Sequence, residues 1–556
     1  MSSSAINFSI VGVGLSVPVS ALALLLVVSW LRSRLRPSAL RDMPGPPSVS
    51  WVWGSSVIPC YELPRLQVDW IRRYGRTFKF HGILGTPTLF AGDLAVVGRV
   101  LGNAKYERSP GIRTVFSLLL GKGVLAVEGA EHRKQRRVLN PAFGLVELRR
   151  QTEVFISKVN DMCLIWKDMC NKSGRTDGST TIDAFAWMNK ITLDIIALAG
   201  FNYDTDSLHA SDDSPNEMNR AVQDMFSVEQ TDVIFIAQLV FPPLRAVPTR
   251  RMREIRRSQG VFRHVGMRLI AGKRAALLRD RAVPSETGSV KLKKNDIEGS
   301  DLLSLLIKAN MAMDLPDNLR LSDEDILAQV PTFMVAGHET TRHVPAVITW
   351  GLFALSCAPQ VQAKLRAELR QVPADMPSMD DLNALPYLDK VVREIMRLYP
   401  AGSTIERVAS EDDIIPLSTP YTDKNGKVHQ EILIRKGDLV LIPTQALQFL
   451  EEIWGPDGGE FKPERWEALP DSVKQMPSFW SNLLTFASGP HACIGYRFAV
   501  VEVKALLFAI VRSFEFNLAV SPSEVSRKTA VVVRPFLSTN PAAGSTLPLT
   551  IRPVVD

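Results

Sequence analysis

A mostly helical fold with a small β-rich subdomain, preceded by one transmembrane N-terminal helix, is what the sequence predicts, and three observations carry it. Apolar residues recur with a period near 3.6 over most of the chain, strand-like runs are few and fall early or late, and the first 31 residues hold no charged side chain. Ile10 to Leu31 would make a helix of ~33 Å, enough to cross the hydrocarbon core of a bilayer. Arg32, Arg34 and Arg36 follow at once, and basic residues after the span with none before it place the rest of the chain on the cytosolic side. A cleaved signal peptide is the competing reading, but it calls for a basic start and a shorter apolar core. Pro44-Gly45-Pro46-Pro47 then forms a stiff, non-helical hinge. The organisation expected is an anchor over 1–31, a basic and proline-rich hinge over 32–50, and one large catalytic body over 51–556, because no linker interrupts the remainder.

Within the body, strands are expected at Thr77 to His81, Thr88 to Phe90, Glu431 to Ile434, Leu439 to Ile442 and Ala530 to Val533. Helices are expected at about 145–170, 182–200, 216–230, 250–280, 322–355, 359–371, 386–399 and 496–512, with polar surface loops at 171–181, 203–216 and 284–300. The long 322–355 helix opens on Ser322-Asp-Glu-Asp325, a capping pattern with acids at the positive end of the helix dipole. The apolar run Val233 to Val247, broken by two prolines and followed by the arginine-rich start of the next helix, suits a membrane surface.

A hydrophobic content of 46% and a charged content of 22% belong to a globular protein with a sizeable core. The net charge of +7 is dispersed, and no recognition motif supports nucleic acid as a partner. The cysteines Cys60, Cys163, Cys170, Cys357 and Cys493 are few, odd in number and irregularly spaced, which argues against a disulfide framework and for a reducing compartment.

Chemistry concentrates in Phe486-Ala-Ser-Gly-Pro-His-Ala-Cys493-Ile-Gly495, where one cysteine sits in a glycine-punctuated turn just ahead of an amphipathic helix. Gly489 and Gly495 would let the backbone approach a flat cofactor, and the amides at the helix start would favour a thiolate. No second cysteine lies within a hundred residues, so a zinc or iron–sulfur site is not indicated. Residue chemistry alone leaves two readings, an axial metal-ligand loop and a buried inert thiol.

The stretch closely resembles the haem-binding loop of the cytochromes P450, F-x-x-G-x-R-x-C-x-G, with Phe486, Gly489, Cys493 and Gly495 in place and His491 where the pattern has arginine. The resemblance extends to a microsomal, fungal-type member of the family. Ala336-Gly337-His338-Glu339-Thr340-Thr341 is similar to its oxygen-activation motif, which would give Ala336 a place beside the cofactor and make Glu339 and Thr340 the catalytic acid and alcohol that deliver protons for dioxygen cleavage. Glu394 and Arg397, with Arg465 in Phe461-Lys-Pro-Glu-Arg465-Trp, resemble the family's structural triad. His132 and Arg136 stand where the pattern has tryptophan and arginine that hold a haem propionate, and Arg407 resembles a further propionate-binding arginine. His491 would reach the same group.

The resemblance implies haem b ligated by Cys493, insertion of one atom of dioxygen into an apolar organic substrate, and electrons from NADPH through a flavoprotein, NADPH–cytochrome P450 reductase, with cytochrome b5 as an auxiliary donor. Arg133, Lys134 and Arg137 are candidate docking charges for such an acidic partner. It implies a single-pass protein of the endoplasmic reticulum membrane. Two rivals share the scaffold: an isomerase or dehydratase that rearranges a peroxide without a reductase, and a non-catalytic haem sensor. The acid–alcohol pair Glu339-Thr340 argues against both. Arg342-His343-Val344-Pro345 departs from the family pattern, and Pro345 is expected to kink the long helix; either the pocket is reshaped here, with His343 turned towards it, or the translated sequence carries a short error.

Overall fold

The computed structural model describes residues 39–50, 54–57, 63–210, 217–226, 235, 238, 242–282, 301–311, 320–339, 343–529 and 533–554. The span 10–31 and its basic flank, Cys60, most of 233–241, Thr340, Arg342 and residues 530–532 of the expected strand lie outside these residues, as do the side chains of Ala336, Glu339 and His343. The chain divides into two compact units, Met1–Glu107 with Thr404–Ala446, and Arg108–Ser403 with Leu447–Asp556.

The first unit is built on a five-stranded sheet. Thr77–His81 pairs antiparallel with Pro87–Ala91, which runs parallel to Leu439–Ile442; Ile405–Ala409 and then the short Tyr106–Glu107 complete the order antiparallel. Phe78 and Phe90 face each other across the first pair with ring centroids 4.2 Å apart, so the register is held by apolar burial on one face. The helix Leu94–Gly102 starts where Asp93 accepts from the amides of Ala95 at 3.0 Å and Val96 at 3.4 Å. Arg407 is buried on the strand Ile405–Ala409.

The described part of the proline-rich segment belongs to this unit. Leu40 and Met43 are fully buried, and the Lys79 amide donates to the Pro44 carbonyl at 2.9 Å. A Cβ on Gly45 would fall 1.8 Å from the Lys79 carbonyl oxygen, so only glycine permits this approach. The Lys79 ammonium donates to the Arg41 carbonyl, and burial, followed by the charge of Lys424, lowers its pKa to about 8.

The second unit is helical. Leu145–Lys172, Ala184–Phe201, His343–Cys357 and Tyr496–Ser513 pack together around its core. The first and last meet through Phe155 and Phe498, 4.8 Å between centroids, and Trp166 meets Phe514 just past the last helix at 5.6 Å. Among the described residues Ala184–Phe201 is the one helix long and apolar enough to cross a membrane, and it is mostly buried inside the protein. The small sheet Thr180–Asp183, Pro548–Pro553, Phe514–Leu518 and the hairpin Val525–Thr529 with Val533–Leu537 complete the unit.

The described parts of the long helix expected from sequence are Asp323–Glu339 and His343–Cys357. The capping pattern forms as expected: Asp325 N donates to Ser322 Oγ at 3.1 Å and Ser322 N to the Asp325 carboxylate at 3.0 Å. The kink expected at Pro345 adjoins residues 340–342, which lie outside the described residues. Pro331 is the interior proline, and it cannot donate to the Leu327 carbonyl.

Candidate active site

The Cys493 loop is a hydrogen-bonded turn in front of the helix Tyr496–Ser513. Cys493 N donates to the Phe486 carbonyl at 2.9 Å, Ala492 N to Gly489 at 3.0 Å, and Ala499 N to Gly495 at 3.0 Å. Phe486 is wedged between Trp480 and Tyr496 at 5.1 and 5.9 Å. Gly489 has φ of +69°, so the turn uses its conformational freedom. Gly495 does not need that freedom in its own backbone: its φ is −91°, and a Cβ there would make ordinary contact with Phe143 at 3.5 Å.

Burial pushes the Cys493 thiol up, while the Gly495 amide and the Arg136 charge act in the opposite direction. The helix start therefore does not by itself yield the thiolate expected from sequence. A coordinated cation would, since metal binding deprotonates a thiol outright. Among the described residues no three His, Cys, Asp or Glu side chains form a chelating group. A lone thiol donor fits a metal that brings its other ligands with it, as haem iron does.

The helix Gly129–Leu139 supplies the neighbours. Arg136 donates to the Ala492 carbonyl. His132 is buried with no hydrogen-bond partner for Nε2, and its ring centroid lies 4.7 Å from that of His491. Burial, then the charges of Arg108 and His491, hold the His132 pKa down to about 4, so the ring is a neutral group with an unused polar edge. An orphaned buried nitrogen and a guanidinium beside a lone thiol fit the acidic edge of a porphyrin.

His491 has a partner that the sequence did not suggest. Its Nε2 lies 2.6 Å from Glu128 Oε2, and Glu128 Oε1 accepts from Arg108 Nη1 at 3.0 Å and from Arg108 N at 3.2 Å. Burial alone would raise the Glu128 pKa, but the His491 hydrogen bond and the Arg108 charge outweigh it and bring it to about 2.

Glu394, Arg397 and Arg465 come together as the sequence suggested. Arg397 forks onto Glu394 at 2.9 and 2.8 Å with both side chains fully buried, and Arg465 Nε reaches Glu394 at 3.4 Å. The cluster is larger than a triad. Trp466 Nε1 and Lys462 N donate to Glu394 at 3.1 and 3.0 Å, and Arg465 donates to Asp457 Oδ1 at 2.6 Å. Two guanidinium charges thus meet two carboxylates, and the remaining donors go to backbone carbonyls, including Arg397 to Gln448 at 2.8 Å and Arg465 to Trp454 at 3.2 Å.

Two further residues escaped the sequence reading. Gln448 is fully buried and hydrogen-bonded at both ends of its amide. Glu502, on the helix that follows Cys493, is buried with both carboxyl oxygens unpartnered, and burial raises its pKa well above the usual value. Nothing in the local pattern separates either from an ordinary polar residue. Arg133 and Arg137 are exposed and Lys134 is partly so.

The sequence profile described as Cytochrome P450 matches residues 44–538. Cytochrome P450 monooxygenase 205 of Postia placenta is 46% identical over 98% of both chains, and Cytochrome P450 monooxygenase 128 of the same organism is 44% identical over 93% of both. Cytochrome P450 monooxygenase claO of Ampulloclitocybe clavipes is 32% identical over 95% of this chain and 97% of its own length. With its lone-thiol loop, its mostly helical architecture with small sheets, and relatives of this kind over nearly the whole length, the chain belongs to the cytochrome P450 family and is a monooxygenase, an oxidoreductase.

Proposed function

We propose that this chain is a membrane-anchored, reductase-fed monooxygenase of secondary metabolism acting on an apolar organic substrate, with Cys493 as the axial ligand of haem b. The observation that carries the reading is the half-buried Cys493 thiol, held just ahead of the helix Tyr496–Ser513 near the Arg136 charge, with the unpartnered Nε2 of His132 on the ring that packs against His491. Haem, when bound, supplies the reductive activation of dioxygen. The chain's own residues do the rest. The turn Phe486–Gly495 fixes the sulfur, Arg136, His132, His491 and Arg407 are the candidate donors to the propionates, and Glu394, Arg397 and Arg465 hold the supporting backbone. Ala336 would lie beside the cofactor, and Thr340 and Glu339 would be the alcohol and acid that deliver protons for dioxygen cleavage.

Electrons come from NADPH through a flavoprotein reductase, with cytochrome b5 as an auxiliary donor, and Arg133, Lys134 and Arg137 offer cationic docking positions on one helix. The apolar span Ile10 to Leu31 and the basic residues behind it support a single-pass anchor in the endoplasmic reticulum with the body cytosolic. Residues 51–556 act as one catalytic domain.

The test is a comparison of wild type and Cys493→Ser as full-length haem-loaded proteins. The wild type should give the thiolate-type spectrum of the reduced carbon monoxide complex and consume NADPH only when reductase is added; the variant should give neither. A thiolate-type spectrum in Cys493→Ser would remove the axial assignment. Product formation from an organic peroxide without reductase would favour the isomerase or dehydratase class.

A further inference from the structure

We propose that Gln448 is a positioning residue for the Cys493 sulfur: a buried amide that splints the strained backbone leading into the cysteine turn onto the end of the helix Pro386–Leu398. The proposal rests on the reading of Cys493 as the haem ligand.

Gln448 is fully buried, and its amide is used at both ends. Nε2 donates to the carbonyls of Arg397 at 2.9 Å and Met396 at 3.3 Å. Oε1 accepts from Leu484 N at 2.7 Å, and the Thr485 hydroxyl, 3.2 Å from Oε1, donates to the Met396 carbonyl at 2.8 Å. These bonds use both the donor and the acceptor end of the primary amide. The Met396 and Arg397 carbonyls belong to the last turn of their helix, where helical donors run out, so the glutamine caps that end from the side.

Its other end grips unusual backbone. Ser481, Asn482 and Ala487 have φ of +51°, +54° and +56°, three non-glycine residues in the left-handed region within seven positions. Such conformations persist where the surroundings over-determine them, and Leu484 and Thr485 lie between them. The next residue is Phe486, whose carbonyl receives the Cys493 amide at 2.9 Å. One covalent step therefore separates the splint from the contact that pins the cysteine. The Gln448 carbonyl also accepts from Arg397 Nη1 at 2.8 Å, so the same residue joins the buried ion cluster to the cysteine turn.

The test uses full-length haem-loaded protein, reduced under carbon monoxide, and follows conversion of the thiolate-type spectrum to the non-thiolate type. Gln448→Met keeps the bulk but removes the side-chain amide bonds, while Gln448→Glu keeps the acceptors and loses both donors. Met188→Ala, a buried side chain on Ala184–Phe201, serves as a control for general destabilisation. Gln448→Met should convert roughly tenfold faster than wild type, as expected for loss of the net equivalent of a buried hydrogen bond. Gln448→Glu should fall between, and amide exchange should quicken in peptides covering 480–493. Met188→Ala should keep the wild-type conversion rate despite a lower melting temperature.

Unchanged conversion and exchange in the Gln448 variants would overturn the positioning role, and so would conversion rates that follow melting temperature equally for all three. If Gln448→Met does not fold, Gln448→Glu and the exchange measurement decide. A wild type without the thiolate-type spectrum would instead remove the assignment of Cys493, which separates the two failures.

Discussion

His491 Nε2 sits 2.6 Å from Glu128 Oε2, and the other oxygen of the same carboxylate holds Arg108. The ring two positions ahead of the cysteine is therefore tied to an acid of its own chain, and Glu128 links Arg108, 20 residues before it, to His491, 363 residues after it. Glu128→Gln keeps the shape and removes the charge. It should lower stability by about 1–3 kcal/mol, the cost of weakening a buried charge-assisted contact. A double-mutant cycle with His491→Gln measures the coupling by thermal or urea unfolding. Strict additivity of the two single changes would show that the contact carries no energy.

Glu502 is predicted to give the opposite response to alkali from an ordinary acid. Burial raises its folded pKa well above 4.5, while in the unfolded chain it ionises near the usual value. Between those two values the folded state binds the extra proton, so stability falls as pH rises through that window. Glu502→Gln removes the titration. Its melting temperature should exceed that of wild type by more at pH 8 than at pH 5, and a gap that does not widen would contradict the buried neutral carboxyl.

Arg465→Lys should damage the ion cluster severely. Lysine cannot replace the separate guanidinium contacts to Glu394, Asp457 and the Trp454 carbonyl, and it leaves buried carboxylate charge poorly matched. The expected loss is on the order of 3–5 kcal/mol. Purified protein should carry substoichiometric haem and melt early. Normal haem content with a melting temperature near wild type would argue against a structural role for the cluster.

Asp457 sets an acid limit on the same cluster. Hydrogen bonds from Arg465 and then Lys462 lower its pKa to about 2. A depressed carboxyl stabilises fully above its unfolded pKa of about 4 and loses that contribution as pH falls through about 4 to 2. Asp457→Asn should therefore be less stable than wild type at pH 6, with the difference shrinking towards pH 3. A difference independent of pH would place its role in shape rather than charge.

Long helices were legible because their periodicity spans several turns: 145–172, 250–282, 386–398 and 496–513 lie within two residues of expectation at each end. The cysteine turn and the Glu394, Arg397 and Arg465 cluster were legible because order along the chain supplied what each short motif lacked. Helices of nine to twelve residues at 63–74, 94–102, 110–120 and 302–310 were not, since so few turns give the pattern little to repeat. The strand Thr180–Asp183 pairs with Pro548–Pro553 across more than three hundred residues, and Phe514–Leu518 joins the same strand, partnerships that local sequence does not encode. Glu128 and Gln448 escaped for a related reason: each is a single polar residue whose meaning lies in partners that only folding brings near.

Gly45 changes what counts as linker in this protein. The segment from Leu40 to Gly45 has Leu40 and Met43 buried and its backbone bonded to the strand Thr77–His81, with no room for even a methyl group at Gly45. Inserting or deleting residues there would not lengthen or shorten a tether; it would slide Leu40 and Met43 out of their sockets. Truncation designs meant to liberate the body from its N-terminus should therefore cut before residue 39, and the proline run usually treated as expendable spacer has to travel with the folded part.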